Sequence, residues 1–434
     1  MNVEQLLEVP QMPSGTGYEI SSAVYDTLQK WSLLDKVQAF VFDTTASNTG
    51  RLNGACILLE QSLEREILFL ACQHHIFELV LQGVFLEVKL FPMTGPDILL
   101  FKRFQHAWEN IDKSTFSTSV SDFYIHNILK NDSDEIILYA KKKITENLPR
   151  DDYQEFLELV IIFLGGVPPR GIAFRQPGQY HLARWMAKAI YSLKLYIFKD
   201  QFKLNSKEEK ALKDICCFIV KCYVQAWFSS PNAIEAPLND ILFLKKLEEY
   251  KLYNKRISDV ALKKIINHLW YLNPECIAFS IFDDRVDNST KLKMAEKILS
   301  TYDSSINDDE EEIELKKKIA LKLEDVSQFI QKDLLIDLIN SKSIGMFKRF
   351  QISTQFLTID PANWNNHEDY KIGKQIINSL KVVNDTAERG VKLVEEYNKK
   401  FTKNEGQKQL VLQTVQDYRK KYPQSDRQTL KKPF

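Results

Sequence analysis

Residues 37–42 form an almost wholly apolar run of strand-prone side chains that stops at Asp43 and breaks into the small polar stretch 44–50. The pattern then changes period twice. It predicts a helix over 50–63, a second apolar strand over 66–72 and a second helix over 74–89. An amphipathic helix over 18–34, introduced by Thr16 and Gly17, precedes this unit, and Pro92, Gly95 and Pro96 close it. Beyond that point the helical period dominates. Helices are predicted over 140–147, 153–164, 179–202, 206–228, 236–252, 258–270, 292–302, 312–328 and 332–341. A long helix over 376–399 and a shorter one over 407–422 follow. No fixed period of about 20–50 residues recurs, which argues against a solenoid.

The fold class implied is α+β and mostly helical. The 434 residues suffice for two or three domains, and 44% hydrophobic with 27% charged content is that of a globular chain. Only 14 glycines argue against an all-β architecture. No apolar run is long enough to span a bilayer, so no membrane partner is expected. The first residues lack a basic stretch followed by an apolar one, so no secretory leader is expected. The six cysteines, mostly in apolar helical context, predict reduced buried thiols of an intracellular protein. Lys plus Arg equals Asp plus Glu at 58 each, so charge alone does not select a nucleic-acid partner. The balance is uneven: residues 303–314 hold seven acids, and 397–434 hold ten basic residues against three acids. Both read as a solvated acidic loop and a basic tail.

Asp43 stands where a buried strand ends. α/β folds place ligands and bases there, while the alternative is an acid that caps the following helix. The second strand opens onto Cys72-Gln73-His74-His75. Cys72 and His75 have zinc-like spacing, but a structural site needs a second close pair and Cys217 with Cys222 has no nearby histidine, so zinc is not expected. In the helix predicted over 179–202, Leu182, Met186, Ala189, Ile190, Leu193 and Ile197 make one apolar stripe. Trp185 falls at its edge, with His181, Arg184 and Lys188 continuing towards solvent. An aromatic bordered by cations suits stacking on an unpaired base beside phosphates; the other reading is a tryptophan that seals the core. The loop 165–171 lacks the Gly-Lys-Ser/Thr of a phosphate loop, so no nucleotide cofactor is expected.

Asp43, Cys72 and His75 (29 residues separate Asp43 from Cys72), then Arg184-Trp185, then Ala387-Glu388-Arg389 within 385–391, stand in a characteristic order. In that order the chain resembles the hAT superfamily of DDE transposases, over roughly residues 37–397. The resemblance implies a partial ribonuclease-H-like core interrupted by a large all-α insertion. Its segments would be a lead-in at 1–17, the first part of the core at 18–92, the insertion at 93–345, a return to the core at 346–400, and a basic helix and tail at 401–434. It further implies metal-dependent DNA cleavage and strand transfer, with Asp43 and Glu388 as catalytic acids and magnesium ligands. Asp385, Glu395 and Glu396 are rivals of Glu388. His75 would contact the scissile strand, and Trp185 with Arg184, His181 and Lys188 would bind nucleic acid. The implied location is nuclear, with DNA and a second copy of the chain as partners. Three antiparallel strands and a first catalytic acid would precede residue 18 in this family and are missing here. The expectation is therefore an N-terminally truncated, inactive remnant. The alternative is a domesticated, non-catalytic nuclear scaffold that binds proteins or nucleic acid.

Overall fold

A computed structural model describes residues 7–10, 12–89, 98–146, 148, 151–177, 186–305 and 317–383. The two apolar runs are realised as strands β1 (Ala39–Phe42) and β2 (Leu68–Ala71). They pair in parallel, Ala39 opposite Leu68 and Phe42 opposite Ala71. All four residues of β2 are buried, whereas β1 is a half-exposed edge. That asymmetry follows from composition, since Leu-Phe-Leu-Ala must be covered on both faces. Among the described residues these are the only named strands, and every other named element is a helix.

The crossover between the strands departs from the sequence expectation. In place of one helix over 50–63 there are two, Ala46–Thr49 and Ala55–Leu63. Gly50 and Gly54 cause the break. A Cβ on Gly54 would collide with the backbone of Gly50 and the carbonyl of Asn48, and one on Gly17 would collide with the carbonyl of Asn53. Three backbones converge here because glycine removes the side chains. Gly54→Ala is therefore expected to cost about 1–3 kcal/mol in urea denaturation. An unchanged midpoint would mean that the loop opens freely.

The first helix, Gly17–Lys30, starts one residue early and ends before Leu34. Thr16 accepts the Glu19 amide at its start, and Ser32 takes a positive φ just beyond its end. The helix Gln73–Glu87 leaves β2 and runs through the centre of the body. Its principal neighbour is Ala236–Ile265, which breaks at Asn254 (φ −150°, ψ 88°) into a hairpin of two helices, in line with the pair predicted over 236–252 and 258–270. Asn254 Oδ1 caps the second helix by accepting the Ile257 amide. Ser258 donates back to the Leu247 carbonyl, closing the hairpin. Phe77 packs edge-on against Phe243 (5.1 Å), and Arg256 pairs with Glu87 (3.0 Å). The helix predicted over 206–228 is also present, as Ser206–Phe218 and Val224–Ser229 joined by a π-helical turn, Ile219–Tyr223. One continuous apolar core runs from Phe42 to Val382.

Two further expectations are corrected. Residues 317–322 are not helical; Ile319 instead forms an antiparallel bridge with Leu269. Lys317 reaches Glu60 (2.5 Å) and the Ile67 carbonyl, and Lys318 the Asn267 carbonyl, so side-chain ties hold this stretch extended. Of the helix predicted over 376–399, residues 384–399 lie outside the described residues, as does the helix predicted over 407–422; within the described ones it begins earlier and breaks at Leu380, as Glu368–Ser379. Leu380 turns extended, and Lys381 bridges to Asn232. Two buried β-branched residues, Val382 and Val383, then follow the strand ends rather than continuing the helix. No helix among the described residues is long and apolar enough to cross a membrane. All six cysteines are buried, and none forms a disulfide.

Candidate site at the carboxyl ends of the strands

Parallel pairing fixes the geometry of the candidate site. Because Phe42 lies opposite Ala71, Asp43 and Cys72 leave the sheet together, and the Cys72 amide donates to the Phe42 carbonyl at 2.8 Å. Asp43 and the Gln73-His74-His75 turn thus share one end of the sheet. The chain also returns there from far downstream, since the Gln73 amide donates to the Val382 carbonyl at 2.9 Å.

Asp43 is half-buried, and its Oδ1 accepts from the Thr45 amide (3.0 Å), the Thr45 hydroxyl (2.6 Å) and the Asn48 side-chain amide (2.9 Å). These are the hydrogen bonds of an acid that organises the turn into Ala46–Thr49. A ligand role would have to share Oδ1 with three donors. His75 is half-buried in the first turn of Gln73–Glu87. Near it, burial first, and then Lys318, His75 and Lys264, push the His268 imidazole down to about 4. His268 is therefore neutral at pH 7, with Lys318, His75 and Lys264 close enough to act on it.

His74 differs from its neighbour. It is buried, lies flat on Trp227 (3.9 Å between centroids, 4° between planes) and places Nε2 3.2 Å from the Trp227 carbonyl. One turn later Glu78 accepts the Tyr223 hydroxyl (2.7 Å) and the Met186 amide (2.6 Å). The helix Ala187–Ile197 is thereby anchored beside His75's helix.

Of the residues expected to bind nucleic acid, Lys188 is described and His181, Arg184 and Trp185 lie outside the described residues; so does Glu388. The stripe Met186, Ala189, Ile190, Leu193 and Ile197 is buried as expected. Burial extends beyond that stripe. Ser192 and Lys194 are also buried, and Lys188 alone among residues 187–197 is half-exposed. Lys194 can be buried because Glu155 pairs with it at 2.5 Å and the Arg175 carbonyl accepts from it at 2.7 Å.

Sequence reasoning missed Gln73, His74, Asp240 and Trp227. Gln73 is buried and donates to Asp240 Oδ1 at 3.2 Å. One signal was readable: in the helix from Ala236, Asp240 lies on the apolar stripe with Pro237, Ile241, Leu244 and Leu247, where an acid is out of place.

Of the two carboxylates expected to hold magnesium, Asp43 is described and Glu388 lies outside the described residues. Magnesium needs hard carboxylate oxygens, and at Asp43 one of the two, Oδ1, already accepts from three donors. Comparisons with family models, curated proteins and solved structures give no match to this chain.

Proposed function

We propose that the chain is a hAT-like transposase core of the split ribonuclease-H type that binds nucleic acid without cutting it. The observation that carries the reading is the hydrogen bond from the Gln73 amide to the Val382 carbonyl. It brings the chain leading towards Glu388 back to the end of the sheet where Asp43 and His75 stand. That return, after a long helical excursion, is what a split core requires. Lys264 and Lys318, which like His75 act on His268, and Lys188 on the anchored neighbouring helix, supply cations for a phosphate backbone. Against cutting stands Asp43, whose carboxylate organises a turn.

The test is fluorescence anisotropy with single-stranded and hairpin DNA at low salt, run beside a nicking assay with magnesium or manganese. Binding is expected, with no metal-dependent nicking. Base stacking is worth ~1–3 kcal/mol, so Trp185→Ala should weaken binding about tenfold or more while the protein stays folded. Arg184→Ala should instead flatten the salt dependence by about one phosphate contact. Nicking that Asp43→Asn abolishes would make the chain an active nuclease. Absence of binding at low salt would leave a protein-interaction scaffold.

A further inference from the structure

Asp240 and Gln73 form a hydrogen-bonding arrangement that an ionised carboxylate leaves open. Gln73 Nε2 donates to Asp240 Oδ1 at 3.2 Å. The two remaining oxygens of the pair, Gln73 Oε1 and Asp240 Oδ2, are both buried and without a hydrogen-bond partner. Each is an acceptor if Asp240 is ionised, so neither can satisfy the other, and a buried acceptor left without a donor destabilises the fold. One proton resolves both. A carboxylic acid carries a donor on one oxygen and an acceptor on the other, which is the complement of a primary amide.

We propose that Asp240 is a neutral carboxylic acid in the folded protein, that its Oδ2–H donates to Gln73 Oε1, and that this closed acid–amide pair is a proton-dependent latch. What it holds is the chain return, because the Gln73 backbone amide is the group bonded to the Val382 carbonyl. The inference stands on this geometry and does not depend on the proposed function.

The surroundings agree with a neutral acid. Asp240 is 3% exposed, and burial alone pushes its carboxyl well above the ordinary range. The titratable groups shown to act with it are Tyr271 and Cys276, both held neutral at pH 7 because burial pushes the phenol and the thiol well up, and the buried Cys72 lies near Tyr271. Tyr271 donates to the Ala71 carbonyl and so is occupied at the strand end. Further along, Arg285 is engaged by Asp283, Asn239 and the Glu235 carbonyl.

The sign follows from linkage. The unfolded chain releases this proton at the ordinary aspartate value of about 3.9, whereas the folded chain keeps it. Stability from this group is therefore fully present below that value and is lost as pH rises towards the folded pKa. The expected slope is a tenfold fall in the folding equilibrium constant per pH unit, relative to a chain without the ionisation.

Asp240→Asn supplies that chain, since an asparagine amide can pair with Gln73 at every pH. Urea denaturation of both proteins from pH 5 to 8 should show the parent losing stability against Asp240→Asn by about tenfold per unit. Hydrogen exchange at the Gln73 amide should accelerate with pH in the parent beyond its rise in Asp240→Asn. Infrared difference spectra at pH 7 should show a carboxylic-acid carbonyl band that Asp240→Asn removes. Parallel stability curves, or no such band, would overturn the proposal. If Asp240→Asn does not fold, Gln73→Met gives a second readout. The acid band should then move to the position of an unbonded carbonyl, and an unmoved band would refute the pairing.

Discussion

Trp227→Ala is expected to lower the unfolding free energy by about 3–5 kcal/mol, the range for removing a fully buried large aromatic. Trp227 is completely buried. Its ring carries His74 flat upon one face and meets Tyr153 edge-on at 6.0 Å and Tyr223 at 5.7 Å. Its carbonyl receives the Ser230 hydroxyl at 2.6 Å. Alanine would leave a cavity lined by three aromatic or imidazole rings that cannot collapse, because two of them belong to other helices. Trp227→Phe keeps a ring over His74 and should lose clearly less. Urea denaturation of the three proteins decides the matter. A loss below about 1 kcal/mol for alanine would mean that the stack contributes no more than an ordinary surface contact. The effect matters for the site because His74 fixes the first turn of the helix that presents His75.

Most of this architecture was legible from periodicity, and the exceptions have physical causes. The helix pair split at Asn254 and the helix from Ser206 were readable because long amphipathic repeats survive tertiary context. β1 and β2 were readable because apolar runs of that length between turn signals have few other uses. The crossover was misread because the Gly50–Gly54 close approach depends on a third backbone at Gly17, which local pattern does not encode. The stretch 317–322 has helical composition, yet Lys317 and Lys318 find partners some 50 to 250 residues away. At the candidate site, Asp43, His75 and the buried stripe after Met186 were legible. The polar half was not. Gln73, His74 and Asp240 take their roles from contacts across more than 150 residues. An acid on an apolar stripe was the one local sign of that network.

Arg349→Ala should be as damaging as the loss of Trp227, for an electrostatic reason. The Arg349 guanidinium forks onto Glu275, with Nη2 at 2.9 and 3.0 Å from the two oxygens and Nε at 3.3 Å. Its Nη1 donates to the Glu66 carbonyl at 2.9 Å, just ahead of β2. Both side chains are at most a tenth exposed. Alanine would strand the Glu275 carboxylate in a site built for a bidentate partner, at a cost of about 3–5 kcal/mol. The pocket has no slack, since a Cβ on Gly345 would collide with Glu275 Oε1. Arg349→Met combined with Glu275→Leu should recover most of the loss, because the pair costs desolvation that an apolar pair does not. The measurement is a double-mutant cycle by urea denaturation with Arg349→Met, Glu275→Leu and the pair. Strong coupling is expected. Additive losses would show that each residue stabilises the fold through its own packing, with Arg349 acting through the Glu66 carbonyl rather than through Glu275.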